Sequence, residues 1–334
     1  MKKNPSNKLV VILGPTASGK TDLAVKLAQR FNAEIVCADS RQIYSEMPIG
    51  TASPLQNQNL QGMDPYQIVR GPSPIKSVKL SGVMHHLFGA ISPKKVFSAA
   101  QYQKLAIKTI KDIQRRGKMP LLVGGSAFYI YPVIEGWQFP KLKASQKLRK
   151  GLEKKTTKQL FEILKKLSPA RTRTIDQNNK RRLIRAIEIA KQLGEVPKII
   201  KKPIFDCLIL GVNVSKTELV KRVEKRTAKM LKLGLEKEVK ALVKKYGWTE
   251  VLRNTIGYAE WQNLKKGGMH LVRSSTKVAS QQINLHTLQL AKKQMTWFKQ
   301  DKKIAWVKNS AQAEKLMKNF LENTQNNGTN NKTV

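Results

Sequence analysis

A phosphate-binding loop is the strongest chemical signal in the sequence. The segment fits G-x-x-x-x-G-K-[ST] and comprises Gly14, Pro15, Thr16, Ala17, Ser18, Gly19, Lys20 and Thr21. Glycines let such a loop curl, so that successive backbone N–H groups and the N-terminus of the next helix face an anion. Lys20 adds a point charge for phosphate oxygens, and the Thr21 hydroxyl is a ligand for Mg²⁺. The segment therefore predicts a site for a di- or triphosphate compound.

Asp39 is the carboxylate that we expect nearest to this loop. It follows a buried strand, and the carboxyl ends of parallel strands line the ligand crevice of an open α/β sheet. Asp39 is therefore a candidate base or metal ligand, with a helix or turn cap as the structural alternative. Nucleotide hydrolases usually carry an acidic residue after a further apolar strand. Here that strand ends in Gly124-Gly125-Ser126, so the loop alone leaves the phosphate compound open.

Apolar runs rich in β-branched residues predict the elements that position these groups. The predicted buried strands are 8–13, 33–38, 120–123 and 207–212. Helical spacing follows the first strand at Leu23, Leu27 and Phe31, recurs over 98–116, and continues from residue 213 to the end. Alternating strands and helices predict an α/β fold, a doubly wound parallel sheet built around the phosphate loop.

Two segments interrupt this alternation. Residues 54–83 are rich in Pro, Gly, Ser, Gln and Asn and predict a long loop or a poorly ordered excursion. Residues 141–202 predict two or three helices and hold 20 basic but only 5 acidic residues. We interpret the second segment as a small all-helical insertion that binds nucleic acid; a solvated helical face is the alternative. The predicted domains are a discontinuous core (1–137 and 203–321), an insertion (138–202) and a disordered tail (322–334).

The composition narrows the possible classes of protein. The 334 residues carry a formal net charge of +41, which favours polyanionic partners, although a lysine-rich proteome would produce part of that excess. Two cysteines exclude a disulfide framework and indicate a reducing compartment. No apolar run approaches the ~18 residues that span a bilayer, and no secretory signal is visible. We therefore expect a cytoplasmic protein without a membrane partner, and nothing in the sequence demands more than a monomer.

Several further segments, combined with the phosphate loop, give the sequence a resemblance to a known family. They cover roughly residues 8–300 and are 39–54, His85-His-Leu87, 121–126, 181–188, 256–260 and 289–298. In this order they resemble the tRNA dimethylallyltransferase (tRNA isopentenyltransferase) family. The phosphate loop is common to many enzymes, whereas the 39–54 block joined to the double glycine and the Trp297 segment is specific.

The resemblance implies a reaction and catalytic residues. A dimethylallyl group would pass from dimethylallyl pyrophosphate to the exocyclic amine of the adenine 3′ to a tRNA anticodon. Asp39 would be the general base, Ser126 would keep the hydroxyl that the family usually provides as Thr, and Arg226 would bind the pyrophosphate with Arg222 as second candidate. The phosphate loop would hold the leaving group, with Mg²⁺ bound through Thr21.

The resemblance also implies where the tRNA anticodon arm binds. The basic insertion would grip the arm, and residues beside the base would read neighbouring nucleotides. The predicted contacts are Asp39, Ser40, Arg41, Gln42, Ser126, Arg149, Lys180, Arg181, Arg182 and Arg185. The sequence departs from the family at Leu288, where Arg is usual, which puts one phosphate or RNA contact in doubt. The alternatives are a small-molecule or nucleotide kinase with the same loop, and a non-catalytic RNA-binding protein.

Histidines and aromatic residues supply the expected walls of the substrate channel. Adjacent residues on a strand point to opposite faces, so the pair His85-His86 is a poor chelator, and we expect it to shape the prenyl or adenine channel instead. Five aromatic residues are candidates for the same wall, with core packing as the alternative for each: Tyr44, Phe128, Tyr129, Trp297 and Phe298.

Overall fold

A computed structural model of the chain describes residues 7–57, 68–69, 77–140, 142, 145–262 and 272–322. The chain forms two compact units, 1–135 with 203–334 and, inserted between these segments, 136–202. The sequence-based boundaries fall at 137/138 and 202/203. The predicted disordered tail lies outside the described residues, except for Glu322, which ends a helix.

An eight-stranded sheet forms the centre of the larger unit. Its strands are β1 Lys8–Leu13, β2 Ala33–Cys37, β3 Ile68–Val69, β4 Ser77–Leu80, β5 Val83–His86, β6 Met119–Gly124, β9 Asp206–Val212 and β10 Ala305–Val307. Their order in the sheet is β10-β9-β1-β6-β2-β5-β4-β3, and the six strands from β10 to β5 are parallel. The apolar runs at β1 and β6 are fully buried, as expected for strands covered on both faces. The predicted α/β sheet is thus confirmed.

Two sequence-based assignments were wrong in part. Residues 54–83 are not one long loop, because they contain a 3₁₀ turn at Pro54–Asn57 and two strands, of which β4 pairs antiparallel with β5. Ser81 and Gly82 both have positive φ, the tight-turn signal of a hairpin. The rest of that segment, 58–67 and 70–76, lies outside the described residues. The chain after residue 213 is not entirely helical either, because β10 joins the sheet beside β9, and three residues are too few to show a period.

Helices cover both sides of this sheet and follow the chain order expected of alternating elements. The helices of the larger unit are α1 Lys20–Arg30, α2 Ala99–Arg115, α3 Ala127–Ile134, α8 Lys216–Lys232, α9 Leu235–Tyr246, α10 Glu250–Arg253, α11 Val272–Phe298 and α12 Ser310–Glu322. A capping box at Ser98 and Gln101 begins α2. None of the helices in the described part of the chain is long and apolar enough to cross a membrane.

The smaller unit is mainly helical and has its own apolar core, which includes Leu160, Leu164, Leu183 and Ile187. A two-stranded antiparallel ribbon joins its two ends. Its elements are β7 Trp137–Gln138, α4 Gln146–Glu153, α5 Thr157–Leu167, α6 Pro169–Thr172, α7 Lys180–Leu193 and β8 Ile200–Lys201. The predicted turns at Ser168-Pro169 and Gly194 end α5 and α7.

A buried carboxylate holds the sheet together at the end opposite to the carboxyl edge. Glu34 is the second residue of β2 and is almost fully buried, and both of its oxygens accept hydrogen bonds from Arg116, at 2.6 and 2.7 Å. His86 contacts the same carboxylate at 2.7 Å, and Lys118 lies 3.4 Å away. Although burial alone would raise the pKa of Glu34, the bonds from Arg116 and His86 hold it well below its usual value.

We expect Glu34→Gln to lower the free energy of unfolding by about 2–3 kcal/mol, measured by urea denaturation. Breaking a fully buried ion pair costs ~3–5 kcal/mol, and Arg116 is one-third exposed, so the effect falls below that range. Because the folded-state pKa is depressed, this stability is present at neutral pH and declines as the pH falls below about 4.5. The control Glu314→Gln removes a pair with Arg30, whose side chain is 66% exposed, and should cost less than ~1 kcal/mol; equal effects would contradict the prediction.

Candidate active site

The phosphate loop connects β1 to α1 at the carboxyl edge of the sheet. Gly14 has a φ of +151°, and a Cβ there would overlap the carbonyl oxygen of Val212, so the loop passes the end of β9 only as glycine. Gly19 caps α1 in a left-handed conformation. Lys20 then folds back over the loop and donates to the carbonyl of Pro15 at 2.5 Å. The predicted context of the motif, between a strand and a helix, is confirmed.

Lys20 sits among charges that tune its protonation. Burial lowers the pKa of Lys20 to about 8, the nearby carboxylate of Asp39 opposes that shift, and the guanidinium of Arg226 reinforces it. Lys20 is therefore mostly charged at neutral pH and close to its titration range, and a cation in this state suits the anion-binding role that the sequence predicts.

If the loop binds a diphosphate substrate, as the sequence predicts, its KM should be constant below pH 8 and rise about tenfold per pH unit above it. The reason is that only protonated Lys20 attracts the anion, and its pKa in the substrate-free protein is about 8. Steady-state kinetics across pH at fixed ionic strength measure this. A KM that stays flat from pH 8 to pH 9.5 (about 1.5 pH units past the pKa) would contradict it.

Asp39 follows β2 and reaches into the same cavity as Lys20. Its Oδ1 accepts hydrogen bonds from the backbone N–H groups of Arg41 and Gln42, at 2.8 and 3.2 Å. This is an Asx turn, which fixes the carboxylate. Within the described residues nothing donates to Oδ2, which leaves that oxygen for a substrate. The turn-cap alternative and the catalytic hypothesis are thus compatible, because each uses a different oxygen.

Ser126 lies next to Asp39 because strands β2 and β6 approach closely at their ends. A Cβ at Gly124 would overlap the carbonyl oxygen of Ala38, so only glycine permits this approach. The Ser126 hydroxyl accepts from the N–H of Ser40 at 2.9 Å and donates to the Ser40 hydroxyl at 3.2 Å. The structure thus joins Ser126 to the turn that carries Asp39.

Two arginines one turn apart on α8 face the phosphate loop. Arg226 donates to the Thr16 hydroxyl at 2.8 Å and to the carbonyl of Thr51 at 3.4 Å. Arg222 donates to the carbonyl of Ser18 at 3.0 Å and pairs with Glu218. Burial lowers the pKa of Arg226, and Asp39 opposes that shift. The residue that the sequence suggested for pyrophosphate binding therefore lies against the loop.

Gln294 on α11 contacts the phosphate loop, and the sequence did not predict this contact. Its side-chain oxygen accepts from the N–H of Thr16 at 2.8 Å, and its amide nitrogen donates to the carbonyl of Gly125, also at 2.8 Å. One side chain thereby ties the phosphate loop to the double-glycine turn. Its position in the 289–298 block was the available signal, but no spacing rule predicts which side of the helix meets the loop.

Glu238 on α9 is the second contact that the sequence did not reveal. Its carboxylate accepts from the N–H groups of Ile49 and Gly50, both at 2.9 Å, and from the Tyr258 hydroxyl at 2.5 Å. Burial raises the pKa of Glu238, and these three hydrogen bonds counter the shift. These hydrogen bonds hold the loop at Ile49 and Gly50, and the carbonyl of the next residue, Thr51, accepts a hydrogen bond from Arg226. Glu238 and Tyr258 therefore help to position Arg226 indirectly.

The cavity at this edge has a volume of about 490 Å³, large enough for a small diphosphate with a base beside it. Its lining is polar at the phosphate loop, Asp39 and Arg226, and apolar at Ile35, Phe88 and Val123. His85 also lines the cavity, and burial lowers its pKa to about 4, so the ring is neutral at pH 7.

The other residues predicted to shape the substrate channel do not line the cavity: some are buried in the core, and others are exposed at the surface. His86 faces away and bonds to Ser77 and Glu34. Tyr44, Tyr129 and Phe298 are buried in packing; Tyr129 stacks on Tyr102 with ring centroids 3.8 Å apart. Phe128 and Trp297 are instead partly exposed outside the cavity.

The predicted RNA contacts differ in their surroundings. Gln42 donates to the carbonyls of Thr51 and Ala52 and lines the cavity. In the smaller unit, Arg149 and Arg185 bind the fully buried carboxylate of Glu188, at 2.7 and 3.2 Å. Lys180 donates to the carbonyl of Glu153, whereas Arg181 and Arg182 are exposed on α7. RNA contacts by these residues, by Ser40 and by Arg41 stay predictions.

The fold and the site together define a class: an α/β protein with a phosphate-binding loop, in which an aspartate and two arginines line the same cavity as the loop. Comparisons with known proteins identify the family within that class. The family described as IPP transferase matches residues 42–301, and the one described as isopentenyl transferase matches residues 7–70.

Relatives agree with this assignment. A tRNA dimethylallyltransferase of Crocosphaera subtropica is 36% identical over 309 residues, 90% of this chain and 92% of that protein. The solved tRNA isopentenylpyrophosphate transferase of Bacillus halodurans aligns with a TM-score of 0.62 and 29% identity over 95% of this chain and 96% of its own. A eukaryotic dimethylallyltransferase acting on tRNA aligns with a TM-score of 0.66 and 26% identity over 87% and 70%. The chain belongs to the tRNA dimethylallyltransferase family.

Proposed function

We propose that this protein transfers a dimethylallyl group from dimethylallyl pyrophosphate to the exocyclic amine of the adenine 3′ to a tRNA anticodon. The observation that carries the proposal is one cavity that holds a phosphate loop with Lys20, a carboxylate with an open oxygen at Asp39, and Arg226. Such a cavity binds a diphosphate at one end and accepts a proton next to it. Membership of the family supplies the donor and the acceptor that this chemistry fits.

The chemical step breaks one bond and forms another. The adenine amine attacks the first carbon of the prenyl chain, the carbon–oxygen bond breaks, and pyrophosphate leaves with the electron pair. The lone pair of the amine is delocalised into the ring, so removal of its proton by Asp39 Oδ2 helps the attack. Lys20, Arg226 and the loop N–H groups stabilise the charge that develops on the leaving group.

The residues present fit a divalent metal ion. The Thr21 hydroxyl borders the cavity, and an oxygen ligand of this kind suits Mg²⁺, which keeps several waters and binds substrate phosphates. The buried Ser18 hydroxyl in the loop also has no hydrogen-bond partner among the described residues. We propose Mg²⁺ held through Thr21, where it would neutralise pyrophosphate charge.

The acceptor must leave its stack before it can reach the cavity, at a cost of a few kcal/mol. Contacts to the RNA backbone would supply that energy, and the exposed Arg181 and Arg182 on the basic insertion are candidates. We propose that the protein acts as a monomer in the cytoplasm. Affinity for tRNA should fall steeply as salt rises.

One experiment tests this function against its alternatives. The protein is incubated with labelled dimethylallyl pyrophosphate, Mg²⁺ and unmodified tRNA, and the digested tRNA is searched for N6-(dimethylallyl)adenosine. A parallel reaction with labelled ATP tests for a kinase. Label in adenosine supports the proposal. Phosphate transfer without prenylation, or tRNA binding without any modification, would overturn it in favour of the kinase or of a non-catalytic RNA-binding protein.

A further inference from the structure

Two exposed aromatic rings lie together on the surface beside the cavity. Phe128 on α3 is 44% exposed and Trp297 on α11 is 40% exposed. Their ring centroids lie 5.4 Å apart in an edge-on arrangement. Tyr131 supports Trp297 from within, at 6.2 Å between centroids, and its hydroxyl donates to Asp301 at 3.0 Å. We name Phe128 and Trp297 the aromatic platform. Large apolar side chains grouped at a surface mark a binding site more often than isolated ones do.

The aromatic platform lies within one helical turn of residues that line the cavity. Phe128 follows Gly125 by three residues, and Trp297 follows Gln294 by three. Gln294 bonds to the carbonyl of Gly125, and both of these residues border the cavity. Because this hydrogen bond ties α11 to the turn that begins α3, it also fixes the two rings relative to the site. The platform is therefore a rigid part of the cavity's surroundings.

The charge next to the platform indicates its partner. Leu290, Lys293 and Trp297 follow one another at spacings of three and four on α11, so they share one stripe of the helix, and all three are exposed. Flat aromatic faces with a cation alongside are the chemistry that binds unpaired nucleotides: the base stacks on the ring, and the phosphate pairs with the cation. Lysine is depleted at the cores of protein–protein interfaces, so Lys293 favours the nucleic acid over a protein partner.

We infer that the aromatic platform stacks an unpaired base of the tRNA loop next to the target adenine, with Lys293 on the adjoining phosphate. This inference rests on the proposed function. Drawing the adenine into the cavity removes it from its neighbour and exposes a base face to water. An aromatic ring that covers this face replaces the lost stacking and lowers the cost of extrusion. The same contact tolerates any base, because every base has a stacking face.

The test measures the affinity of the full chain for an unmodified anticodon stem-loop at fixed salt. Trp297→Ala should weaken binding about tenfold, Trp297→Leu nearly as much, and Trp297→Phe about threefold or less, since one stacking contact is worth roughly 5- to 150-fold. Phe128→Ala is an independent second variant with the same expected direction. The matched control is Leu285→Ala, which truncates a similarly exposed apolar residue about three turns earlier on α11. It should bind like wild type.

Three further measurements distinguish base stacking from other causes of a weaker affinity: altered donor binding, a lost charge, and self-association of the protein. The KM for dimethylallyl pyrophosphate should stay unchanged in Trp297→Ala. The slope of log affinity against log salt should also stay unchanged there, but should decrease in Lys293→Gln. A wild-type dimer that becomes a monomer in Trp297→Ala would show that the platform binds a second copy, and would overturn the inference.

The result also distinguishes this inference from the proposed function. Wild-type protein that prenylates tRNA, together with Trp297→Ala and Phe128→Ala that bind the stem-loop as tightly as wild type, would overturn the platform alone. Wild-type protein without prenylation would overturn the function itself. Equal losses in Trp297→Leu and Trp297→Phe would attribute the effect to shape and contradict stacking.

Discussion

Asp39→Asn should reduce the single-turnover rate of prenyl transfer by about 10²-fold or more while tRNA binding is largely kept. A positioned general base contributes ~10²–10⁴-fold, and the amide that replaces Asp39 cannot take the proton. The variant is structurally conservative, because asparagine retains an oxygen that can accept the N–H groups of Arg41 and Gln42. The loss therefore reports the proton transfer rather than a collapsed turn.

The measurement uses protein and tRNA pre-bound and mixed with saturating prenyl donor. Asp39 raises the pKa of Lys20, so the assay is run well below pH 8, where Lys20 stays charged without its neighbour. Asp206→Asn is the matched control, because Asp206 is an exposed residue at the start of β9, at the opposite end of the sheet. An unchanged rate in Asp39→Asn would remove Asp39 from the role of base.

The sequence predicted those elements whose surroundings in the fold impose a recognisable local pattern of residue types. A run such as Leu9 to Leu13 is apolar throughout because both faces of β1 are covered, and the phosphate loop requires glycine where the backbone passes β9. Short or polar elements carry no such pattern. The strand β4 is fixed by its hairpin pairing with β5, and β10 is fixed by pairing with β9, almost 100 residues earlier in the chain.

The site divides in the same way. Lys20 and Asp39 could be predicted because a motif and a strand end place them at one edge of the sheet. Gln294 and Glu238 could not be predicted. Their hydrogen bonds join residues that are 169 to 278 positions apart in the chain, and no local pattern connects those residues. Arg149 and Arg185 show the converse limit. Their charge is evident in the sequence, but the fully buried Glu188 that binds them is visible only in the fold.

Lys20→Met should lower kcat/KM for prenyl transfer by about 10²–10³-fold, the loss expected when one preorganised donor to a developing anion is removed. The effect follows from position: Lys20 is a partly buried cation that shares a cavity with the loop N–H groups and Arg226, so its charge acts in a weakly screened environment. Lys26→Met is the matched control, since Lys26 is exposed six residues further along α1 and does not border the cavity. It should change kcat/KM less than about twofold.

The pH dependence links this variant to a specific ionisation. If Lys20 is the group that titrates near pH 8, the rise in KM above that pH should vanish in Lys20→Met, because methionine has no proton to lose. A rise that persisted unchanged would assign the titration to another group, even if activity fell as expected. Lys20 also donates to the carbonyl of Pro15, so urea unfolding of the variant is measured alongside. Unaltered stability with a flat pH profile would attribute the loss to the missing charge and not to a distorted loop.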